Sequence, residues 1–108
     1  MALKIIFMGT PEFSVPILES IHNSKHKVIE VYTQPPKKKN RGQLINLTPI
    51  HEFSNKNNIN VRCPDQLNTE EEFNNLKKQK PDVVVVAAYG KLLPSEFLNF
   101  KNIKFINV

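Results

Sequence analysis

A single cysteine, Cys63, occurs in the chain. No internal disulfide can form, and such usage fits a reducing compartment. No apolar run approaches the ~20 residues that span a bilayer. The start, MALKIIFMG, has neither the apolar h-region nor the small-residue cleavage site of a secretory leader. A cytoplasmic protein with no membrane partner is therefore expected. Glycine is scarce too, with three residues in 108. From Gly9 the chain reads G-T-P-E-F-S, so the second and third glycines of a G-x-G-x-x-G dinucleotide fingerprint are missing. Glu30 stands about 20 residues on, where a ribose-binding acid would be, but it falls inside a strand-like run. These gaps argue against nicotinamide binding. No metal site is expected either. His22, His26 and His51 lack partners at metal spacing and read as surface histidines. Cys63, ahead of Pro64, reads as a small apolar filler. Glu70, Glu71 and Glu72 suit the start of a helix, not a catalytic carboxylate pair.

What is present is ordinary in proportion: 40% apolar and 23% charged residues, as in a soluble domain. The net charge of +5 favours anionic partners through long-range attraction. The basic residues are unevenly placed. PPKKKNR (35–41) gathers three lysines and an arginine. KKQK (77–80) reads as the end of a helix, where cations meet exposed carbonyls.

Continuous apolar runs mark strands buried on both faces. LKIIFM (3–8), KVIEVYT (27–33) and PDVVVVAAYG (81–90) are the clearest; INVRC (59–63) and IKFINV (103–108) complete a set of five. Helical patterns lie between them. Ile17, Leu18 and Ile21, with Phe13 before them, recur at helical spacing. LTPIHEFSNKN (47–57) offers Thr48 as cap and Pro49 at the first helical position. NTEEEFNNLKKQK (68–80) has Asn68 or Thr69 as cap, acids in its first turn and lysines in its last. PSEFLNF (94–100) is a short final helix. Strands alternating with helices predict βαβ units, right-handed crossovers and a mainly parallel sheet. Ligands of such sheets bind beyond the carboxyl ends of the strands.

Gly9 lets the chain bend and another group approach closely. A helix capped by Ser14 keeps Pro16 in its first turn, where a missing donor is harmless, and pairs Phe13 with Leu18 as a hydrophobic staple. GTPEF is then a short loop at the ligand edge.

The segments FMGTPEFSVPILE, VYTQP, the basic loop with RG and then TP, VVAAYGKLLP and INV occur in an order and spacing that resembles the methionyl-tRNA formyltransferases across essentially the whole chain. GTPEF together with TQP, RG and TP is specific within the wider formyltransferases, which include glycinamide ribonucleotide and sugar-nucleotide enzymes. The resemblance implies a Rossmann-like, doubly wound α/β fold of about five strands. It implies transfer of a formyl group from 10-formyltetrahydrofolate, a folate co-substrate, to the amine of initiator methionyl-tRNA, without a metal. It further implies that residues 1–108 are the N-terminal portion of the catalytic domain, about the first third of the enzyme. The family's catalytic His, two residues after an Asn, and its Asp then lie past Val108, and the piece alone is expected to be inactive. The intact enzyme is expected to be a monomer, whereas a truncated sheet could self-associate through an open edge.

By the same resemblance Asn107 is the catalytic asparagine. A fixed amide can stabilise negative charge on a formyl oxygen without titrating; the plainer reading is an Asn that ends a strand. Tyr89, Gly90, Lys91 and Leu92 line the pterin end of the folate pocket, or simply turn from strand to helix and pack leucines. Arg41 belongs to the loop that enters the tRNA acceptor stem, an expectation shared by any glycine-containing basic loop that phosphates can order. Thr10 and Phe13 border the aminoacyl end, unless Phe13 is only the staple. Gln34 ends a strand at that edge and could touch the tRNA end. The alternatives are another folate-dependent formyltransferase, or a non-catalytic nucleotide- or RNA-binding module.

Overall fold

The computed structural model describes residues 1–39 and 44–108. Its frame is a five-stranded parallel sheet whose strands lie in the order Val61–Arg62, Lys27–Tyr32, Lys4–Gly9, Val83–Ala87, Lys104–Asn107. The strands are β1 (Lys4–Gly9), β2 (Lys27–Tyr32), β5 (Val61–Arg62), β6 (Val83–Ala87) and β7 (Lys104–Asn107). Side chains of β1 alternate between the two faces, as the pleat requires. Ile5 and Phe7 join Leu18, Val31, Ile50 and Val85 in one core. Ile6 and Met8 join Tyr32, Leu76, Val84 and Phe97 in the other. Helices α1 (Val15–His22) and α2 (Pro49–Lys56) supply the first core; α3 (Glu70–Gln79) and α4 (Ser95–Leu98) supply the second. The sheet is therefore doubly wound, as the sequence predicts. Each fully buried Leu or Phe contributes roughly 1.5–3 kcal/mol, so the two-sided burial of β1 anchors the fold. No described helix is long and apolar enough to cross a membrane.

Helix starts follow their sequence signals. The Thr48 hydroxyl accepts from the His51 N–H at 3.1 Å, with Pro49 opening α2. The Thr69 hydroxyl accepts from the Glu72 N–H at 3.3 Å. Each such cap contributes about 1 kcal/mol. Helix α1 departs from expectation. It is preceded by a 3-10 turn, Glu12–Ser14, and Ser14 makes no side-chain cap. Instead its buried hydroxyl donates to the Ala87 carbonyl at 2.7 Å. That bond ties the turn to the end of β6 and leaves Phe13 70% exposed, so the Phe13–Leu18 staple does not form. Pro16 does fall in the first turn of α1.

Strand lengths also differ. The expected strand 81–90 ends at Ala87 because Ala88 takes a left-handed φ of 56°, which breaks the ladder. The strand expected over 59–63 keeps only Val61 and Arg62. The three lysines of the basic segment, expected as loop, form β3 (Lys37–Lys39), which pairs antiparallel with β4 (Leu44–Asn46) and satisfies backbone groups that a bare loop would leave to water.

A polar layer between β2 and α3 was not foreseen. Arg62 donates from Nε and Nη2 to both carboxylate oxygens of buried Glu72 at 3.1 Å. Glu30 lies inside β2 and is buried. It accepts from Asn75 Nδ2 at 2.9 Å and from Gln79 Nε2. Burial pushes the Glu30 carboxyl above the usual carboxylate range, outweighing these hydrogen bonds and the nearby charge of Arg62. A carboxyl raised in the folded state holds its proton more tightly there than in the unfolded chain. Its contribution is fully present below the unfolded value and is lost as pH rises through the folded one. Glu30→Gln keeps an acceptor for Asn75 and Gln79 but carries no charge. The variant is expected to unfold at higher urea than the parent at pH 7, with the advantage vanishing as pH falls through the carboxylate range. Denaturation curves at stepped pH measure this; a variant less stable at pH 7 contradicts it.

Candidate active site

The carboxyl ends of β1, β2, β6 and β7 meet around one turn, Ala88-Tyr89-Gly90. A side chain on Gly9 has no room: its Cβ would stand 2.7 Å from the Phe7 ring and 2.9 Å from the Ala87 carbonyl oxygen. The chain stops at glycine there because β6 presses against it. Thr10 then reaches across. Its hydroxyl donates to the Tyr89 carbonyl at 2.7 Å and accepts from the Gln34 N–H at 3.4 Å. Gly90 has a φ of 92°, and a Cβ on it would lie 2.7 Å from Gln34 Nε2. Thr10, Gln34, Tyr89 and Gly90 therefore form one connected turn, locked by side-chain bonds across 79 residues of sequence.

Two grooves flank this turn. The first, about 470 Å³, is lined by Tyr89–Leu93 together with Leu98, Phe105, Ile106 and Asn107. The second, about 430 Å³, is lined by Thr10, Gln34, Lys37, Asn46, Thr48 and the same turn. Both lie in the size range of small-molecule sites. Asn107 is exposed at the end of β7, paired in register with Val86. It thus shares the first groove with Tyr89, Gly90, Lys91 and Leu92. Leu92 is 95% exposed and Leu98 53% exposed, an apolar surface left open beside an amide.

Tyr89 has a double character. Its ring is buried among Tyr32, Leu76 and Phe97, and its hydroxyl finds no partner among the described residues. Burial raises the phenol well above its ordinary value. Tyr89 borders both grooves while being only 1% exposed. Lys91 Nζ donates to the Asp65 carbonyl at 2.8 Å, which ties the ammonium to the loop after β5. Phe13 is exposed but lines neither groove. Arg41 lies outside the described residues.

The histidines are less superficial than the sequence suggests. His26 Nδ1 accepts from the Leu3 N–H at 2.9 Å, His22 packs edge-on against Phe53, and His51 Nδ1 lies 3.7 Å from Cys63 Sγ. Burial lowers the His51 pKa and raises that of Cys63, because it disfavours the charged form of each. Among the described residues no three His, Cys, Asp or Glu side chains are placed to hold a metal ion. Leu98, Phe105 and Ile106 escaped the sequence reading as groove residues because apolar letters in a short helix and an edge strand look like core. Their only signal was the neighbouring Asn107.

The first groove combines apolar walls, Leu92, Leu98 and Phe105, with the exposed amide of Asn107, the mixture typical of a small-molecule site.

Over residues 3–108 the sequence matches the family described as Formyl transferase. It is 49% identical over 109 residues to a methionyl-tRNA formyltransferase of Pelagibacter ubique, covering 100% of this chain and 35% of that protein. It is 42% identical to the methionyl-tRNA formyltransferase of Anaplasma marginale, covering 98% of this chain and 35% of the relative. The protein of that name from Acetivibrio thermocellus is also 42% identical, with 98% and 34% covered. The chain thus spans about a third of the length of these curated relatives.

Proposed function

The chain belongs to the formyl transferase family, and from that premise we propose that it is the N-terminal portion of the catalytic domain of an enzyme that formylates initiator methionyl-tRNA. The donor is 10-formyltetrahydrofolate, which supplies an activated formyl group. Its pterin lies in the apolar groove against Tyr89, Gly90, Lys91 and Leu92. The aminoacyl end enters from the polar groove of Thr10 and Gln34, with Phe13 at its approach.

The observation that carries this reading is the placement of Asn107 in the same groove as Tyr89–Leu92. As the methionyl nitrogen adds to the formyl carbon, negative charge develops on the formyl oxygen. The Asn107 amide N–H donates to that oxygen and holds the charge without any proton transfer of its own. The tetrahedral species then collapses: the carbon–nitrogen bond to the folate breaks, the folate nitrogen leaves with a proton, and the amine, having lost one, keeps the formyl group. Thr10 and Gln34 keep the turn between the grooves in place, and Arg41 meets acceptor-stem phosphates.

The test is a formylation assay of the complete enzyme with three acceptors: methionyl-tRNA, glycinamide ribonucleotide and an amino-sugar nucleotide. Only the first is expected to be formylated. Comparable kcat/KM with either of the others contradicts the acceptor assignment. For Arg41→Ala, tRNA affinity is expected to weaken and the slope of log K against log salt to flatten by about one. An unchanged slope contradicts a phosphate contact.

A further inference from the structure

The pole of the domain opposite the grooves is built from the strand starts and the helix-to-strand connections. Six lysines stand there: Lys4, Lys25, Lys27, Lys80, Lys101 and Lys104. All six are exposed. Backbone pairing places several of them in a row across the sheet. Lys27 pairs in register with Lys4, the Asp82 N–H donates to the Lys4 carbonyl at 2.8 Å, and the Lys104 N–H donates to the Asp82 carbonyl at 3.1 Å. With strands ~4.8 Å apart, the row Lys27–Lys4–Asp82–Lys104 is about 14 Å long. Its one acid, Asp82, is exposed, and its Oδ2 accepts from the Lys4 N–H at 2.8 Å. Among the described residues both ion pairs are made by Arg62, so the three ammonium groups of the row are held in no ion pair and outnumber its single carboxylate.

Helix ends explain only part of the pattern. The carbonyl end of α3 accounts for Lys77 and Lys78 in its last turn. Lys4 Nζ also reaches that end, donating to the Gln79 carbonyl at 3.5 Å, whereas Lys27 and Lys104 open strands and Lys25 and Lys101 sit in connections. Beside the row, Lys77, Lys80 and Lys101, with the single acid Asp82, line a groove of about 410 Å³ whose wall includes Phe100. Concave lysines around an aromatic ring match a phosphodiester backbone carrying a base that stacks. A membrane surface is a poorer match, because the exposed large apolar residues, Met1 aside, lie elsewhere.

We propose that this pole is a second anion site that binds the phosphate backbone of RNA, at a stretch separate from the end entering the candidate active site. The test measures binding of a short, unaminoacylated single-stranded RNA to the complete enzyme by fluorescence anisotropy, between about 50 and 200 mM salt. Because no formyl acceptor is present, the outcome is independent of the formylation reading. The triple variant Lys80→Gln, Lys101→Gln, Lys104→Gln is expected to lose about tenfold in affinity at the low-salt end, and its salt slope is expected to fall by about two. The matching triple Lys→Arg variant keeps the charges and is expected to bind like the parent. Circular dichroism melts check that each variant is folded. Unchanged affinity and slope in the folded Gln variant overturn the proposal. So does a loss of binding in the Arg variant, or a loss confined to phosphatidylserine vesicles with RNA binding intact.

Discussion

Replacement of Asn107 by alanine in the complete enzyme is expected to lower kcat for formyl transfer by about 10²–10³-fold, the usual cost of removing one oxyanion donor. Dissociation constants for methionyl-tRNA and for the folate should stay within a few-fold of the parent, since the amide acts chiefly on charge that forms in the transition state. The residue is exposed at the end of an edge strand, so stability should change by no more than about 0.5 kcal/mol. The neighbouring ladder is made by the main chain, with the Val108 N–H donating to the Val86 carbonyl at 2.8 Å, and survives the substitution. Asn107→Asp is a sharper probe. A carboxylate is nearly isosteric but accepts where the amide donates, and it repels a developing oxyanion. It should be at least as damaging as alanine. Stopped-flow or single-turnover formylation gives the chemical step directly, and near-normal rates in either variant contradict the role.

Gly9→Ala is expected to cost about 2–3 kcal/mol of folding stability, as overpacking of a fitted interior does. Two neighbours decide the size. The Phe7 ring, 2.7 Å from the new Cβ, belongs to a fully buried side chain in the first core and cannot swing away. The Ala87 carbonyl, at 2.9 Å, belongs to backbone paired with Gly9 and already accepts the Ser14 hydroxyl. Moving that carbonyl strains both the β1–β6 ladder and the turn before α1. Gly90→Ala should be milder, at roughly 1 kcal/mol. There the obstruction is the end of the Gln34 side chain, which can rotate, and the remaining penalty comes from the positive φ. Urea midpoints of the two variants measure the difference. A Gly9→Ala midpoint equal to the parent's, or a larger loss at Gly90, contradicts this account of how β1 is stopped.

The fold was legible where burial and backbone chemistry act locally. The apolar runs of β1, β2 and β6 and the caps at Thr48 and Thr69 each follow from a few adjacent residues. Contacts across long stretches of sequence were not legible. Nothing near Ser14 says that its hydroxyl serves Ala87 rather than its own helix, since that bond spans 73 residues. The ties of Glu30 to Asn75 and Gln79 span 45 and 49 residues, so Glu30 read merely as an acid inside a strand. Ala88 in a left-handed conformation runs against the preference of its side chain, and the apolar letters of 81–90 could not reveal where β6 ends.

The site followed the same division. The convergence of strand ends was predictable from a parallel sheet, and Thr10, Gln34, Tyr89, Gly90 and Asn107 do gather at one edge. The partition into two grooves was not, because it depends on the positive φ values of Ala88 and Gly90 and on the Thr10 bond that fixes the turn between them. That bond gives Thr10 a structural task beside any contact with substrate.

The central claim is that the groove of Leu92, Leu98, Ile106 and Asn107 receives the folate while the groove of Asn46 and Thr48 does not. Amide chemical-shift mapping of the complete enzyme with a non-reactive folate analogue tests it most directly. The account predicts shifts at Leu92, Leu98, Ile106 and Asn107, with Asn46 and Thr48 unmoved. Shifts confined to Asn46 and Thr48, or to Lys80 and Lys101 at the opposite pole, would contradict it.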